Sequence, residues 1–365
     1  MTGSRKDDHV RLAVAQHGAD GTPAHGTPSD DDHPTYPPSQ FDEVHLTHHA
    51  LAGTDRERVS LRTRCDVFDW RAPLYINAMT GGSTMTGDIN RDLGIVARET
   101  GLPIATGSMS PYLKDPSTAG TFRGVREHNR DGFVMANVNA HATAEQARRA
   151  VGLLEADALQ IHLNAVQETV MPEGDRSFGS WPAGIGRIVA GVDVPVIVKE
   201  VGFGLSGRTV STLAGLGVRV ADVAGRGGTD FARIENGRRP HADFAYLDGW
   251  GLSTPAALLD ARGRGLPLLA SGGVRHPLDV IRALALGAHA VGVSGGFLAT
   301  LLHGGVDALV RQITRWLDHL TGLMTLLGAT RPGELSECDV LVTGSLREFC
   351  TARGIDIPGT QGASR

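Results

Sequence analysis

The residues able to do chemistry in this chain gather at the ends of short apolar runs. The clearest case is Ala158–Arg176, ALQIHLNAVQETVMPEGDR, where a run suited to a buried strand stops abruptly at His162, Asn164, Gln167 and Glu168. Polar side chains crowded at the C-terminal end of a buried parallel strand are where α/β sheets and barrels place their chemistry. An imidazole, two amides and a carboxylate suit either acid–base work or the holding of a hydrated Mg²⁺ on an anionic ligand. For Glu168, which has Glu173 and Asp175 close by, a surface salt bridge is the competing reading.

Other run ends carry comparable groups. Lys199 closes Val-Ile-Val and is expected inside the same mouth, either as a cation beside an anionic ring system or as a structural partner of Glu200 or Glu168. Ser271-Gly272-Gly273 and Ser294-Gly295-Gly296 each end a run and precede a helix, so their backbone N–H groups could cradle a phosphate, unless the glycines only make tight turns. Asn77-Ala78-Met79-Thr80, Ser108, Asn137 with Asn139, and Gly225-Arg226-Gly227-Gly228-Thr229 complete the ring of polar ends. Gly202-Phe203-Gly204-Leu205-Ser206-Gly207 has the dinucleotide spacing, with Asp222 about 20 residues on. A Rossmann unit normally opens its domain, whereas this is the fifth of eight equivalent units, which argues against that use. No GxSxG elbow supports Ser-His-Asp chemistry.

The elements that must position these groups follow from periodicity. Eight β-rich runs, at 74–79, 103–108, 133–139, 158–164, 195–201, 218–225, 267–274 and 290–297, alternate with helical patterns. Thr143 with Gln146 forms a capping box ahead of Ala147, Ala150, Val151 and Leu154; Ile89, Leu93, Val96 and Ala97, and Ile281, Leu284 and Ala285, repeat at helical spacing. The pattern predicts an α/β protein, a (β/α)₈ TIM barrel with a mobile N-terminal segment and C-terminal helices. An insertion at 229–254 lengthens the sixth unit and is expected on the active face. Val306 to Leu327 predicts a long amphipathic helix that packs on the barrel or on a neighbouring subunit. Residues 1–16 form a basic, partly apolar segment, 17–40 a flexible linker, 41–352 the barrel with its C-terminal helices and 353–365 a tail. The histidines in and around the linker, His9, His17, His25, His33 and His45, are irregularly spaced, which suits solvated side chains better than a metal site.

Composition narrows the class. The 365 residues are 41% hydrophobic and 21% charged, as in soluble globular proteins, but 48 glycines are nearly double the usual share and predict many turns or close backbone approaches. A net charge of −5 gives no electrostatic case for nucleic acid, and no apolar run is long enough for a membrane span. Three scattered cysteines and the lack of an apolar leader fit a reducing cytoplasm.

Taken in order, Arg5-Lys6-Asp7-Asp8-His9, NAMTGG (77–82), HLNAVQE (162–168), EGDRSF (173–178), VKEVGFGLS (198–206), GRGGTDFARIE (225–235), WGLST (250–254) and ASGGVR (270–275) resemble the type 2 isopentenyl-diphosphate isomerases, over about residues 4 to 350. The resemblance implies an FMN-dependent barrel that interconverts isopentenyl and dimethylallyl diphosphate with Mg²⁺, NADPH or NADH keeping the flavin reduced. It also implies a cytoplasmic homo-oligomer, tetramer or octamer. Carried over by position, Ala78, Met79, Thr80, Ser108, Asn137, Lys199 and Thr229 would contact the flavin, and Gly272, Gly273, Ser294 and Gly295 its phosphate. Arg5, Lys6, His9 and Gln167 would bind the substrate and Glu168 the Mg²⁺. Gln167, His162 and Asn164 would be the catalytic side chains beside the reduced FMN that serves as acid and base, with Lys199 favouring its anionic form. Met109-Ser110 and Ala224 depart from Gln-Arg and Ser in many members. An FMN α-hydroxyacid oxidase or dehydrogenase would share the barrel but needs a His base and a following Gly-Gly-Arg near the seventh strand. A non-catalytic flavin-binding protein would need none of Lys6, Gln167 and Glu168.

Overall fold

Alternation of the eight runs with helices builds a closed barrel. The computed structural model describes residues 2–17, 36–65 and 67–357, with side chains from Lys6 onward at the N-terminus. Its barrel strands are β1 Leu74–Ile76, β2 Ile104–Ala105, β3 Val134–Asn139, β4 Ala158–Leu163, β5 Val196–Glu200, β6 Val220–Asp222, β7 Leu268–Ser271 and β8 Ala288–Val293. Each pairs in parallel with its neighbours in sequence, and β8 closes on β1. The helices that follow them are α1 Thr84–Thr100, α2 Gly120–His128, α3 Ala144–Leu154, α4 Trp181–Gly191, α5 Gly207–Gly215, α6 Thr254–Ala261, α7 Pro277–Ala285 and α8 Gly295–Leu327.

Local signals explain where the helices start. Thr143 and Gln146 exchange the two capping bonds, Gln146 N to Thr143 Oγ1 at 3.1 Å and Thr143 N to Gln146 Oε1 at 2.9 Å. Ala147, Ala150 and Leu154 then face the core. The helix expected from Val306 is present, directly after the non-helical Gly305; a further helical stretch, 295–304, precedes it, because β8 ends at Val293 and Phe297, Leu298 and Leu301 turn helically into the core. Gly305, with φ of 74°, kinks α8.

Strand side chains alternate, so every second residue points into the barrel. One residue from each strand, Tyr75, Ala105, Met135, Ala158, Ile197, Val220, Leu269 and Ala290, joins a buried apolar layer. Below it the antiparallel hairpin Thr63–Cys65/Phe68–Trp70 seals the barrel: the rings of Phe68 and Trp70 stack 3.8 Å apart, and Trp70 meets Tyr75 and Phe133. Two positions further along each strand the register brings Asn77, Gly107, Asn137, Gln160, Lys199, Asp222, Ser271 and Gly292. This second layer is polar, and most of it is hydrogen-bonded as one unit.

Asp222 is its centre. Its fully buried carboxylate accepts from Tyr75 Oη at 2.7 Å, Asn77 Nδ2 at 3.1 Å, Ser271 Oγ at 2.8 Å and the amide of Ala224 at 3.1 Å. Gly292 makes this possible, since a Cβ there would lie 2.7 Å from Tyr75 Oη. A carboxylate only accepts, so it orients the amides beyond it. Asn77 Oδ1 takes Gln160 Nε2 at 3.5 Å, Gln160 Oε1 takes Asn137 Nδ2 at 3.1 Å, and Asn137 Oδ1 is left facing His162 Nδ1 at 2.7 Å.

The chain ends are tied to the barrel. Residues 2–14 form a helix, which the sequence reading had not assigned, with Val10 and Ala13 buried and Asp7 Oδ1 accepting from Ser83 Oγ at 2.6 Å. Residues 18–35 of the linker and 358–365 of the tail lie outside the described residues. The linker's last residues are anchored. Arg275, 5% exposed, donates to Pro37 O at 2.7 Å and bridges Asp42 and the buried Asp279. Val44–Leu46 pairs antiparallel with Val340–Val342.

Asp222→Ala leaves three buried side-chain donors without their acceptor, at about 1–3 kcal/mol each. The expected result is a loss of at least about 3 kcal/mol in urea unfolding. A loss below about 1 kcal/mol would show that the layer does not depend on this carboxylate.

Candidate active site

The polar strand ends open into one cavity of about 570 Å³, within the usual range for small-ligand sites. Every residue proposed from the sequence lines it except Arg5, whose side chain is not described. Additional short helices, Ser110–Lys114, Ala165–Val170 and Phe231–Gly237, rim the mouth after β2, β4 and β6. The last lies in the insertion expected on this face. The N-terminal helix covers the opening with Lys6, His9, Val10 and Ala13.

One end of the cavity is a backbone seat for an anion. Gly272 and Gly273 adopt φ of 89° and 70°, and a Cβ on Gly272 would stand 2.0 Å from the carbonyl oxygen of Gly225. The loops after β6 and β7 therefore touch backbone to backbone, so close approach as well as anion binding accounts for these glycines. Beside them α8 starts at Ser294-Gly295 with no side-chain cap on its first N–H groups, which leaves the positive end of the helix facing the cavity. The loop with dinucleotide spacing is the opposite case. Ser206 caps Thr209 N, the Asp260 carboxylate takes Gly207 N at 2.7 Å, and Glu200 Oε2 accepts from the amides of Val201, Gly202 and Phe203. Its own carboxylates fill the places a pyrophosphate would take, and Asp222 serves the barrel interior.

The middle of the cavity presents Ala78, Met79 and Thr80 after β1, Ser108 after β2, Asn137 on β3, Lys199 on β5 and Thr229 after β6. Lys199 donates to the carbonyl oxygen of Glu200 at 2.7 Å, not to the Glu168 carboxylate. Burial lowers its pKa, against the opposing pull of Asp222 and Glu200. Glu200 shifts up to about 7: burial outweighs its three backbone bonds and Lys199. His162 is pushed down to about 3 by burial and by the cations of Lys199 and Lys6, so it is neutral at working pH. With Asn137 Oδ1 facing Nδ1, its proton sits on Nδ1 and its lone pair on Nε2. Of the departures, Met109 is buried in the core, while Ser110 and Ala224 line the cavity, Ala224 at φ of 39°.

The other end holds the group that opened the chain's chemistry. Glu168 Oε1 accepts from Asn164 Nδ2 at 2.9 Å and Oε2 from the amide of Asp175 at 2.9 Å. Among the described residues no cluster of three or more His, Cys, Asp or Glu could enclose a metal ion. A cation here would take few protein ligands, as Mg²⁺ on a phosphate does. Gln167 Nε2 donates to Glu235 Oε1 at 3.2 Å, and His9 Nε2 lies 2.9 Å from the same oxygen. Burial raises the pKa of Glu235, but His9, Arg238 and Gln167 outweigh it and hold it low. The sequence reading missed Glu235, though a carboxylate among the apolar residues of FARIE was a signal. Asn139, expected among the polar strand ends, lines the cavity; His141 in the lining was missed, and His17, taken for a solvated linker histidine, lines the cavity too.

Residues 121–341 match the FMN-dependent dehydrogenase family. The isopentenyl-diphosphate delta-isomerase of Kitasatospora griseola is 64% identical over 97% of this chain and 93% of its own length. That of Nocardia farcinica is 59% identical over 98% and 94%, and that of Lacticaseibacillus paracasei 50% over 86% and 91%. Among solved structures, a mandelate oxidase aligns with a TM-score of 0.59 at 16% identity, covering 84% of this chain and 88% of that one. A flavocytochrome b2 aligns with a TM-score of 0.61 at 18% identity, covering 87% and 80%. These distant likenesses show the barrel fold alone. The near relatives, at up to 64% identity across almost the whole chain, settle the family: this chain belongs to the FMN-dependent, type 2 isopentenyl-diphosphate delta-isomerases.

Proposed function

We propose that the protein interconverts isopentenyl diphosphate and dimethylallyl diphosphate, using FMN kept reduced by NADPH or NADH and Mg²⁺ on the substrate diphosphate. The observation that carries this reading is a single cavity with anion seats at both ends: the uncapped α8 start beside Gly272-Gly273, and the cluster of Lys6, Gln167 and Glu168. The first suits the flavin phosphate and the second a metal-bound diphosphate. Reduced flavin supplies the proton exchange at carbon that no ordinary side chain manages at an unactivated allylic position.

The side chains have separate tasks. Ser294, Gly295, Gly272 and Gly273 hold the flavin phosphate, while Ala78, Met79, Thr80, Ser108, Asn137 and Thr229 bound its ring and tail. Lys199 places positive charge beside the ring and favours an anionic reduced form. Arg5, Lys6 and His9 bring the N-terminal helix over the diphosphate, Glu168 holds Mg²⁺, and Gln167, positioned by Glu235, orients the substrate. Neutral His162 offers an acceptor at Nε2 and Asn164 fixes Glu168. Mouth closure keeps water from the reacting carbon.

This activity belongs in the cytoplasm, in keeping with three cysteines scattered along the chain. No helix among the described residues is long and apolar enough to cross a membrane. Exposed Leu302 and Leu326 on α8 support a homo-oligomer, tetramer or octamer.

Purified protein should be yellow and should convert isopentenyl diphosphate when supplied with Mg²⁺ and reductant. Absence of an allylic diphosphate by NMR from a reduced, Mg²⁺-loaded sample would overturn the reading. Glu168→Gln should spare FMN binding yet weaken diphosphate affinity about 10- to 100-fold, with a higher Mg²⁺ requirement. An unchanged Mg²⁺ titration would remove Glu168 from that role.

A further inference from the structure

His17 follows the N-terminal helix Thr2–Val14 and stands on the anion seat. A Cβ built on Gly295 would lie 2.3 Å from His17 Nε2 and 2.8 Å from Thr229 Oγ1. The imidazole, the Thr229 hydroxyl and the first residue of α8 thus converge on one point. The preceding residue fixes this placement: Gln16 Oε1 accepts from the amide of Asp230 at 2.9 Å, and its Nε2 donates to the carbonyl of Asp230 at 3.5 Å. Gln16 therefore pairs with the loop after β6, and that register sets His17 beside Thr229. Lys6, about three turns earlier, faces the other end of the cavity, close enough to lower the pKa of His162.

We propose that His17 donates a hydrogen bond from Nε2–H to the phosphate of bound FMN, so that the cofactor latches the N-terminal helix over the mouth. A neutral imidazole with its proton on Nε2 suffices as donor. The chemistry is that of a phosphate monoester seated on backbone N–H groups and gaining one further donor from the lid. Linkage makes the effect reciprocal: flavin orders the helix that carries Lys6 and His9, and the seated helix slows flavin loss. The inference rests on the FMN reading above.

The test uses the full chain freed of flavin and titrated with FMN or riboflavin, which lacks the phosphate, with binding read by quenching of flavin fluorescence. His17→Ala should weaken FMN binding about 10- to 100-fold, leave riboflavin binding unchanged, and be largely rescued in His17→Gln, which keeps a donor. FMN, but not riboflavin, should protect Arg5, Lys6 and Arg11 from trypsin in the unmodified protein, and that protection should be lost in His17→Ala. Unchanged FMN affinity, or an equal loss for FMN and riboflavin, would overturn the latch in favour of simple packing. Failure of the unmodified protein to bind FMN would instead overturn the cofactor reading.

Discussion

A buried carboxylate in a barrel must be surrounded by donors, and much of the site follows from how Asp222 meets that demand. Tyr75 reaches it from the apolar layer below, Ser271 from the adjoining β7, Asn77 from the end of the non-adjacent β1, and the amide of Ala224 from the loop above. Because the carboxylate can only accept, Asn77, Gln160 and Asn137 are polarised in series, and the last turns an oxygen toward His162. One buried charge thereby chooses the tautomer of an imidazole several residues away. The amide of Ala224 is also bound to it, which helps hold a non-glycine residue in the left-handed region.

The cavity is electrostatically two-ended. At the end formed by Gly272-Gly273 and the start of α8 the protein offers backbone dipoles and almost no formal charge. At the opposite end it contributes side chains, and Glu235 and Glu168 hold Gln167, His9 and Asn164 in place. Lys199 stands between, buried and paired with a carbonyl, close to Asp222 and Glu200. A rigid seat suits a resident cofactor, while a side-chain seat on a mobile lid suits a ligand that must come and go.

Most of the barrel was legible because strand length, turn residues and helix spacing are local signals. The Thr143–Gln146 box and the eight runs needed nothing from distant sequence. The cavity lining was legible for the same reason, since residues at strand ends must share one mouth. What escaped depended on partners far apart in the chain. Asp222 had the spacing of a dinucleotide fold's acid, a use the order of the units argued against, and nothing local showed that the register sets it beside Tyr75 and Ser271. His17 looked solvated because nothing nearby in sequence reveals that Gln16 pairs with Asp230. Glycines were ambiguous in kind: Gly272 is required by its backbone contact with Gly225, and composition cannot separate that need from anion binding. The helical stretch between Gly295 and the break at Gly305 escaped because Gly295-Gly296 reads as a turn whether it ends a strand or opens a helix.

The stacked rings of Phe68 and Trp70, which seal the far end of the barrel, govern traffic. With that end shut, everything that reaches the cavity enters through the mouth, and nothing can leave behind it. On the proposed function, flavin and diphosphate both come in on that side, which the N-terminal helix covers with Lys6, His9, Val10 and Ala13. An aromatic plug outside the cavity lining therefore leaves that cavity a single way in and out.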